Sequence, residues 1–103
     1  MIYVVADILI KKNKIKQFVD ILKTNIPNVL EEEGCVEYTL TEPIQLETVS
    51  QNKNIDSVSI IEKWETIENL KVHLSAPHMQ AYRDAVKDIV EKTILKVTKS
   101  IEK

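Results

Sequence analysis

The first ten residues alternate, but both parities are apolar. In Ile2–Ile10 one parity carries Ile2, Val4, Ala6, Ile8 and Ile10, and the other carries Tyr3, Val5, Asp7 and Leu9. The period of two predicts a strand. A sheet in a small α+β monomer normally packs helices on one face and shows the other to water. A strand that is apolar on both faces predicts a cover for the second one, and 103 residues leave little to supply it. The expected cover is a second copy of the chain.

The pattern then changes period. Over Lys12–Glu33, the residues Ile15, Phe18, Val19, Leu22, Ile26, Val29 and Leu30 fall at helical spacing and make one apolar stripe. Pro27 lies inside that stripe and is expected to kink or disturb it. Gly34 suits the residue just past a helix end, where positive φ costs little. Glu31, Glu32 and Glu33 oppose the dipole at that end, and a solvated face is the reading for them.

Cys35–Thr41 predicts a second strand. Glu42–Asp56 predicts a hairpin tip around Gln51–Asn54, with strand-like shoulders near Glu47–Ser50. Ser57–Glu65 predicts a third strand, with Val58, Ile60, Glu62 and Trp64 on one parity. Ile67–Leu74 predicts a short helix, with Thr66 as N-cap and Ile67, Leu70 and Leu74 inward. Pro77 opens another helix running to about Glu91, packed through Ala81, Ala85, Val86, Ile89 and Val90. Thr93–Lys99 predicts the last strand. The β-α-β-β-α-β order is the ferredoxin-like split arrangement: an α+β fold, an antiparallel sheet with helices on one face, in one domain over residues 1–103.

Composition narrows the function. The net charge of −2 and the single arginine, Arg83, give no basic stripe to displace counterions, so no nucleic-acid partner is expected. One cysteine, Cys35, excludes an intrachain disulfide and a Cys-rich metal site, and is read as a small buried hydrophobe. No run approaches a membrane span, and the N-terminus lacks a signal-peptide pattern. A cytoplasmic location and no membrane partner are therefore expected. Gly34 is the only glycine, so phosphate-cradling and dinucleotide fingerprints are missing.

Chemistry-bearing side chains cluster in residues 62–82, which hold the only Trp, both His and one of the three Tyr. His73, three residues after Leu70, borders the buried stripe as a general base or a satisfied boundary histidine. His78, in the first turn of a helix, is either a capping residue or a pocket residue. Tyr82 lies one turn later on the same face. Trp64 is a core anchor or an aromatic wall, and Tyr38 is a ligand partner or core. Asp7, a carboxylate within an apolar strand, needs a partner or a functional use. No His, Asp or Glu spacing has the regularity of a metal site.

Together, Val29-Leu-Glu-Glu-Glu-Gly34-Cys35-Val-Glu-Tyr38, Ile60-Ile-Glu-Lys-Trp64-Glu65, and Leu70, His73, Leu74, Pro77-His78-Met79 and Ala81-Tyr82 resemble the antibiotic biosynthesis monooxygenase family, in its small bacterial quinol monooxygenase type. The resemblance implies a dimeric α+β barrel, two subunits with sheets face to face, which agrees with the two-faced first strand. It implies a pocket between sheet and helices, lined at positions matching Trp64 and His73 and flanked by His78 and Tyr82. In the oxygenases of the family no metal, flavin or haem is needed: an electron-rich quinol or polyphenol is deprotonated and itself reduces O₂. Ile60 stands where polyketide-tailoring members carry Asn. Asp7, His73 and Arg83 stand where haem-degrading members carry their working residues.

The expectation is a cofactor-free monooxygenase acting on a small quinol-like aromatic. His73 would be the base, and Trp64, Tyr38 and Tyr82 the walls. An isomerase of a small phosphorylated or oxidised sugar-like metabolite and a non-catalytic binding dimer are the alternatives, separated from it by oxygen consumption.

Overall fold

The computed structural model describes residues 1–44, 46 and 56–102. The chain runs β1 (Ile2–Ile10), α1 (Ile15–Leu30), β2 (Cys35–Thr41), β3 (Asp56–Trp64), α2 (Ile67–Leu74), α3 (Pro77–Val86) and β4 (Val90–Lys99). The four strands form one antiparallel sheet in the order β2-β3-β1-β4. This is the ferredoxin-like α+β arrangement that the element order predicts. The hairpin tip and the shoulders near Glu47–Ser50 lie outside the described residues.

β1 is an interior strand, hydrogen-bonded to β3 on one side and β4 on the other. Its β-branched run suits that place. Val4, Ala6, Ile8 and Ile10 are buried with Val58 and Ile60 of β3, against Phe18, Leu22 and Val29 of α1. The opposite parity is open. Tyr3, Val5 and Leu9 share that face with Ile61 and Ile94, and Tyr3 and Val5 are each 37% exposed. At the β4 edge the helical face is bare too: Leu95 and Val97 are about half exposed.

The helices differ from expectation at their ends and faces. α1 spans Ile15–Leu30 and continues through Pro27 into its last turn. Its stripe includes a polar residue: Asn25 is buried, with Nδ2 donating to Met79 Sδ at 3.3 Å. Leu30 is exposed. α2 turns Leu70 and His73 inward, whereas Ile67 and Leu74 are exposed. α3 ends at Val86 and not near Glu91. The chain turns through an Ile89 N–H to Val86 O bond, and Val90 pairs with Ile10, so sheet pairing takes the residues that helical periodicity had claimed. α3 packs through Met79, Tyr82 and Val86, while Ala81 and Ala85 are exposed.

Candidate active site

Three short segments meet over the sheet at the β2–β3 end. α1 stops at Leu30, and two backbone bonds close the turn: Glu32 N–H to Val29 O and Cys35 N–H to Glu32 O. Gly34 completes it at φ +81°. A Cβ there would overlap the Asn69 side chain at the start of α2, so the position needs glycine both for its backbone angle and for space. Asn69 is itself held by Thr66, which caps α2 as predicted. The Gly34 turn and the α2 cap are thus interlocked. Their packing directs Glu32 of the turn toward the helices.

Glu32 is the centre of the site. One of its oxygens, Oε2, accepts from His73 Nδ1 and from His78 Nε2, each at 2.8 Å. The other, Oε1, is buried and has no partner among the described residues. The break at Ser75–Ala76 allows the two histidines to converge: α2 ends, Pro77 starts α3 in its first turn, and His78 points back to the residue His73 also reaches. With Nδ1–H donated to a carboxylate, the neutral His73 ring has its lone pair at Nε2. That nitrogen lies 4.0 Å from Glu62 Oε1, beyond hydrogen-bond reach.

The His73 ring, with Glu62, lines a cavity of about 170 Å³ between sheet and helices. Ala6, Ile8 and Ile60 form its floor, Tyr38, Tyr82 and Met79 its walls, and Glu62, His73 and Arg83 its polar groups. Tyr38 meets the His73 ring edge-on at a centroid distance of 5.6 Å. Burial raises the Tyr38 hydroxyl far above the ordinary phenol range, and Glu62 adds to the shift. Burial likewise pushes Tyr82 up to about 12, against the opposing effect of Arg83. Both phenols are therefore neutral O–H groups near pH 7, able to donate to an anion. Burial also raises the Glu62 carboxyl, against the Trp64 N–H and His73, which favour its ionised form.

Five of the sequence-selected residues belong to this neighbourhood, and they divide between inside and outside. His73, Tyr38 and Tyr82 line the cavity. Trp64 does not. It is fully buried behind His73, with ring centroids 4.6 Å apart, and its Nε1–H donates to Glu62 Oε1 at 2.9 Å. It packs against His73 and holds Glu62 from behind rather than forming a wall. His78 lines a separate groove of about 280 Å³ between α1 and α3.

Asp7 is a correction. It lies on the sheet face away from the helices, exposed, and accepts a 2.5 Å hydrogen bond from Ser59 Oγ. The parity that put it with Tyr3 and Val5 is the one opposite the core, so within the single chain its carboxylate is exposed. Cys35 is only half-buried rather than a core residue. Burial and two nearby carboxylates still push its thiol up to about 11.

Sequence reasoning missed Glu32 and Glu62. Glu62 had a signal, because it shares its parity with Val58, Ile60 and Trp64, the buried side of β3. Glu32 had only its awkward place at a helix C-terminus. Its partners lie 41 and 46 residues away. The ligand atoms of Glu32, His73 and His78 all fall within 4.8 Å of one another, a set capable of holding a metal ion. A larger depression of about 670 Å³, by Ile10, Lys11 and Glu91, contains no aromatic ring or histidine among the described residues.

The model of the family "Antibiotic biosynthesis monooxygenase" matches residues 1–85. The Escherichia coli (strain K12) protein named "Probable quinol monooxygenase YgiN" is 43% identical over 70 residues, 67% of each chain. Among solved structures, a conserved protein from Methanosarcina mazei Go1 superposes with a TM-score of 0.82 at 23% identity, covering 96% of this chain and 91% of that one. A protein from Nitrosomonas europaea, titled "Putative antibiotic biosynthesis monooxygenase", has a TM-score of 0.82 at 16% identity, covering 98% and 99%. These structural likenesses carry the fold.

Proposed function

The chain belongs to the antibiotic biosynthesis monooxygenase family, and from that premise we propose that it oxidises a small quinol or polyphenol with O₂, using no cofactor. The observation that carries the reading is His73, held at Nδ1 by Glu32 and lining a cavity with aromatic walls, which leaves Nε2 as the nitrogen to take a proton. Nε2 takes the phenolic proton. Glu32 stabilises the imidazolium that forms, and the Tyr38 and Tyr82 hydroxyls donate to the phenolate. The electron-rich anion then reduces O₂. One oxygen atom bonds to a ring carbon as its C–H bond breaks, and the other leaves as water. The quinol supplies all four electrons, two as it becomes a quinone and two as its ring is hydroxylated. No redox group is needed to balance the reaction.

The bare sheet face with Tyr3, Val5, Ile61 and Ile94 supports the second part of the reading, a homodimer through that face. Sedimentation of the wild-type chain against Val5→Lys checks it; a wild-type monomer at all concentrations would refute it.

The functional test is oxygen uptake with reduced naphthoquinols and polyphenols, autoxidation subtracted. His73→Ala is expected to lower turnover by about 10²–10⁴-fold. No uptake across the panel refutes the oxygenase. A rival reading draws on one observation: His73 and Glu62 face the same cavity as two titratable groups, 4.0 Å apart, the arrangement for moving a proton between neighbouring carbons of a ketose-like metabolite. That isomerase would consume no oxygen.

A further inference from the structure

Glu32 is an unusual hydrogen-bond acceptor. One oxygen takes two imidazole N–H groups while the other, within the same carboxylate, takes none among the described residues. Buried polar atoms are nearly always paired, so an orphan oxygen beside two converging ring nitrogens points to a missing partner that would share them. A cation satisfies all three groups at once. We propose that Glu32, His73 and His78 bind one divalent cation of borderline softness, with Zn²⁺ as the ion that fits best.

Two imidazoles and one carboxylate suit Zn²⁺ and its transition-metal neighbours, and disfavour Mg²⁺ and Ca²⁺, which require mainly oxygen ligands. The ligand atoms lie within 4.8 Å of one another. With bonds of about 2.1 Å, a tetrahedral ion spaces its ligands at about 3.4 Å. The two 2.8 Å contacts therefore open by about half an ångström when the cation replaces the shared protons. Rotation of the Glu32 carboxylate brings in Oε1. Two protein nitrogens and one carboxylate leave a fourth position open. Access is from the α1–α3 groove, where the His78 side chain is 26% exposed, while that of His73 is 2% exposed.

The consequence rests on the reading of His73 as the base. A cation on Nδ1 obliges the neutral ring to carry its proton on Nε2. The nitrogen read as the base then donates instead of accepting, and the site is switched off. The cation is thus an inhibitor bound behind the base, in a place where it does not block the cavity.

The test uses the whole chain, freed of metal by a chelator. Zn²⁺ is titrated calorimetrically, and the imidazole ¹⁵N–¹H resonances are followed by NMR. The expected result is saturation at one Zn²⁺ per chain, no comparable binding of Mg²⁺, and movement of the His73 proton from Nδ1 to Nε2. His78→Ala and the nearly isosteric Glu32→Gln should each weaken binding at least about tenfold. Absent saturation, or unmoved imidazole resonances, overturns the proposal, as does Zn²⁺ binding that both variants retain. The NMR arm uses the wild-type chain, so the test stands even if a variant misfolds. Turnover of a quinol without Zn²⁺ binding removes the cation site alone. Zn²⁺ binding by a chain inert to every quinol removes the oxygenase reading alone.

Discussion

Replacing Glu32 by Gln isolates the charge behind the proposed base. The amide keeps the volume and one acceptor oxygen but cannot stabilise an imidazolium by its charge. The bond at stake is 2.8 Å long, from a His73 side chain that is 2% exposed to a carboxylate that is 11% exposed, so solvent screening is small. A hydrogen bond to a charged group contributes about 1.5–3 kcal/mol. It reaches that strength only as Nε2 takes the proton, so the loss falls on the transition state. At about 1.36 kcal/mol per decade, kcat/KM should drop about 10- to 150-fold. Glu32 is not among the residues lining the cavity, so kcat should carry most of the effect. Initial rates of oxygen uptake measure it. In a His73→Ala background the same change should do little, because the charge acts through that ring. A Glu32→Gln enzyme within about twofold of wild type would refute the reasoning, as would an undiminished loss in the His73→Ala background.

Three further outcomes follow from the same geometry. Glu62→Gln keeps an oxygen for Trp64 Nε1 and removes a carboxyl whose pKa burial has raised. A raised carboxyl contributes its stability below the unfolded value, near 4.5, and loses it as pH rises through the folded value. The variant should therefore be more stable than wild type near pH 7, with the gap in denaturant midpoint closing in acid; a gap that widens in acid would contradict the sign. Gly34→Ala should lower stability by at least about 1–2 kcal/mol, the penalty of a left-handed backbone for a residue with Cβ, plus the overlap with Asn69, read from thermal melts. Cys35, its thiol pushed up to about 11 from 9.0, should alkylate slowly at neutral pH, with about a hundredfold less thiolate than an ordinary cysteine; iodoacetamide kinetics at ordinary thiol rates would contradict this.

Strand and helix identities were legible because each segment keeps one period long enough to declare it, β1 most clearly. Helix ends were not. Val90 satisfies both the α3 stripe and the β4 ladder, and only the pairing partner Ile10 decides between them. The inward face of α2 was misread for a similar reason: in eight residues, Leu70 with His73 and Leu70 with Leu74 are equally good helical pairs, and the sheet below selects the first. At the site, His73, Tyr38 and Tyr82 were found by residue type. Glu32 was not, because a carboxylate in an acidic run looks solvated until the imidazoles that claim it are brought across from α2 and α3. Asp7 attracted attention that parity would have given to Glu62.

The site divides its labour between the two layers of the fold. Every group that handles a proton at Glu32 comes from the helical layer: the turn after α1, α2 and α3. The residues that give the cavity its floor and part of its walls, Ala6, Ile8, Tyr38 and Ile60, come from the sheet. A substitution at Ala6, Ile8 or Ile60 can therefore reshape what the cavity admits, whereas Tyr38 and Trp64 of the sheet also pack on the His73 ring of the Glu32 cluster. On the proposed function, a lineage built on this frame is free to change substrates through the floor residues while the proposed acid–base apparatus stays intact. That separability offers a physical reason for a small fold to diversify in what it acts on faster than in how it moves protons.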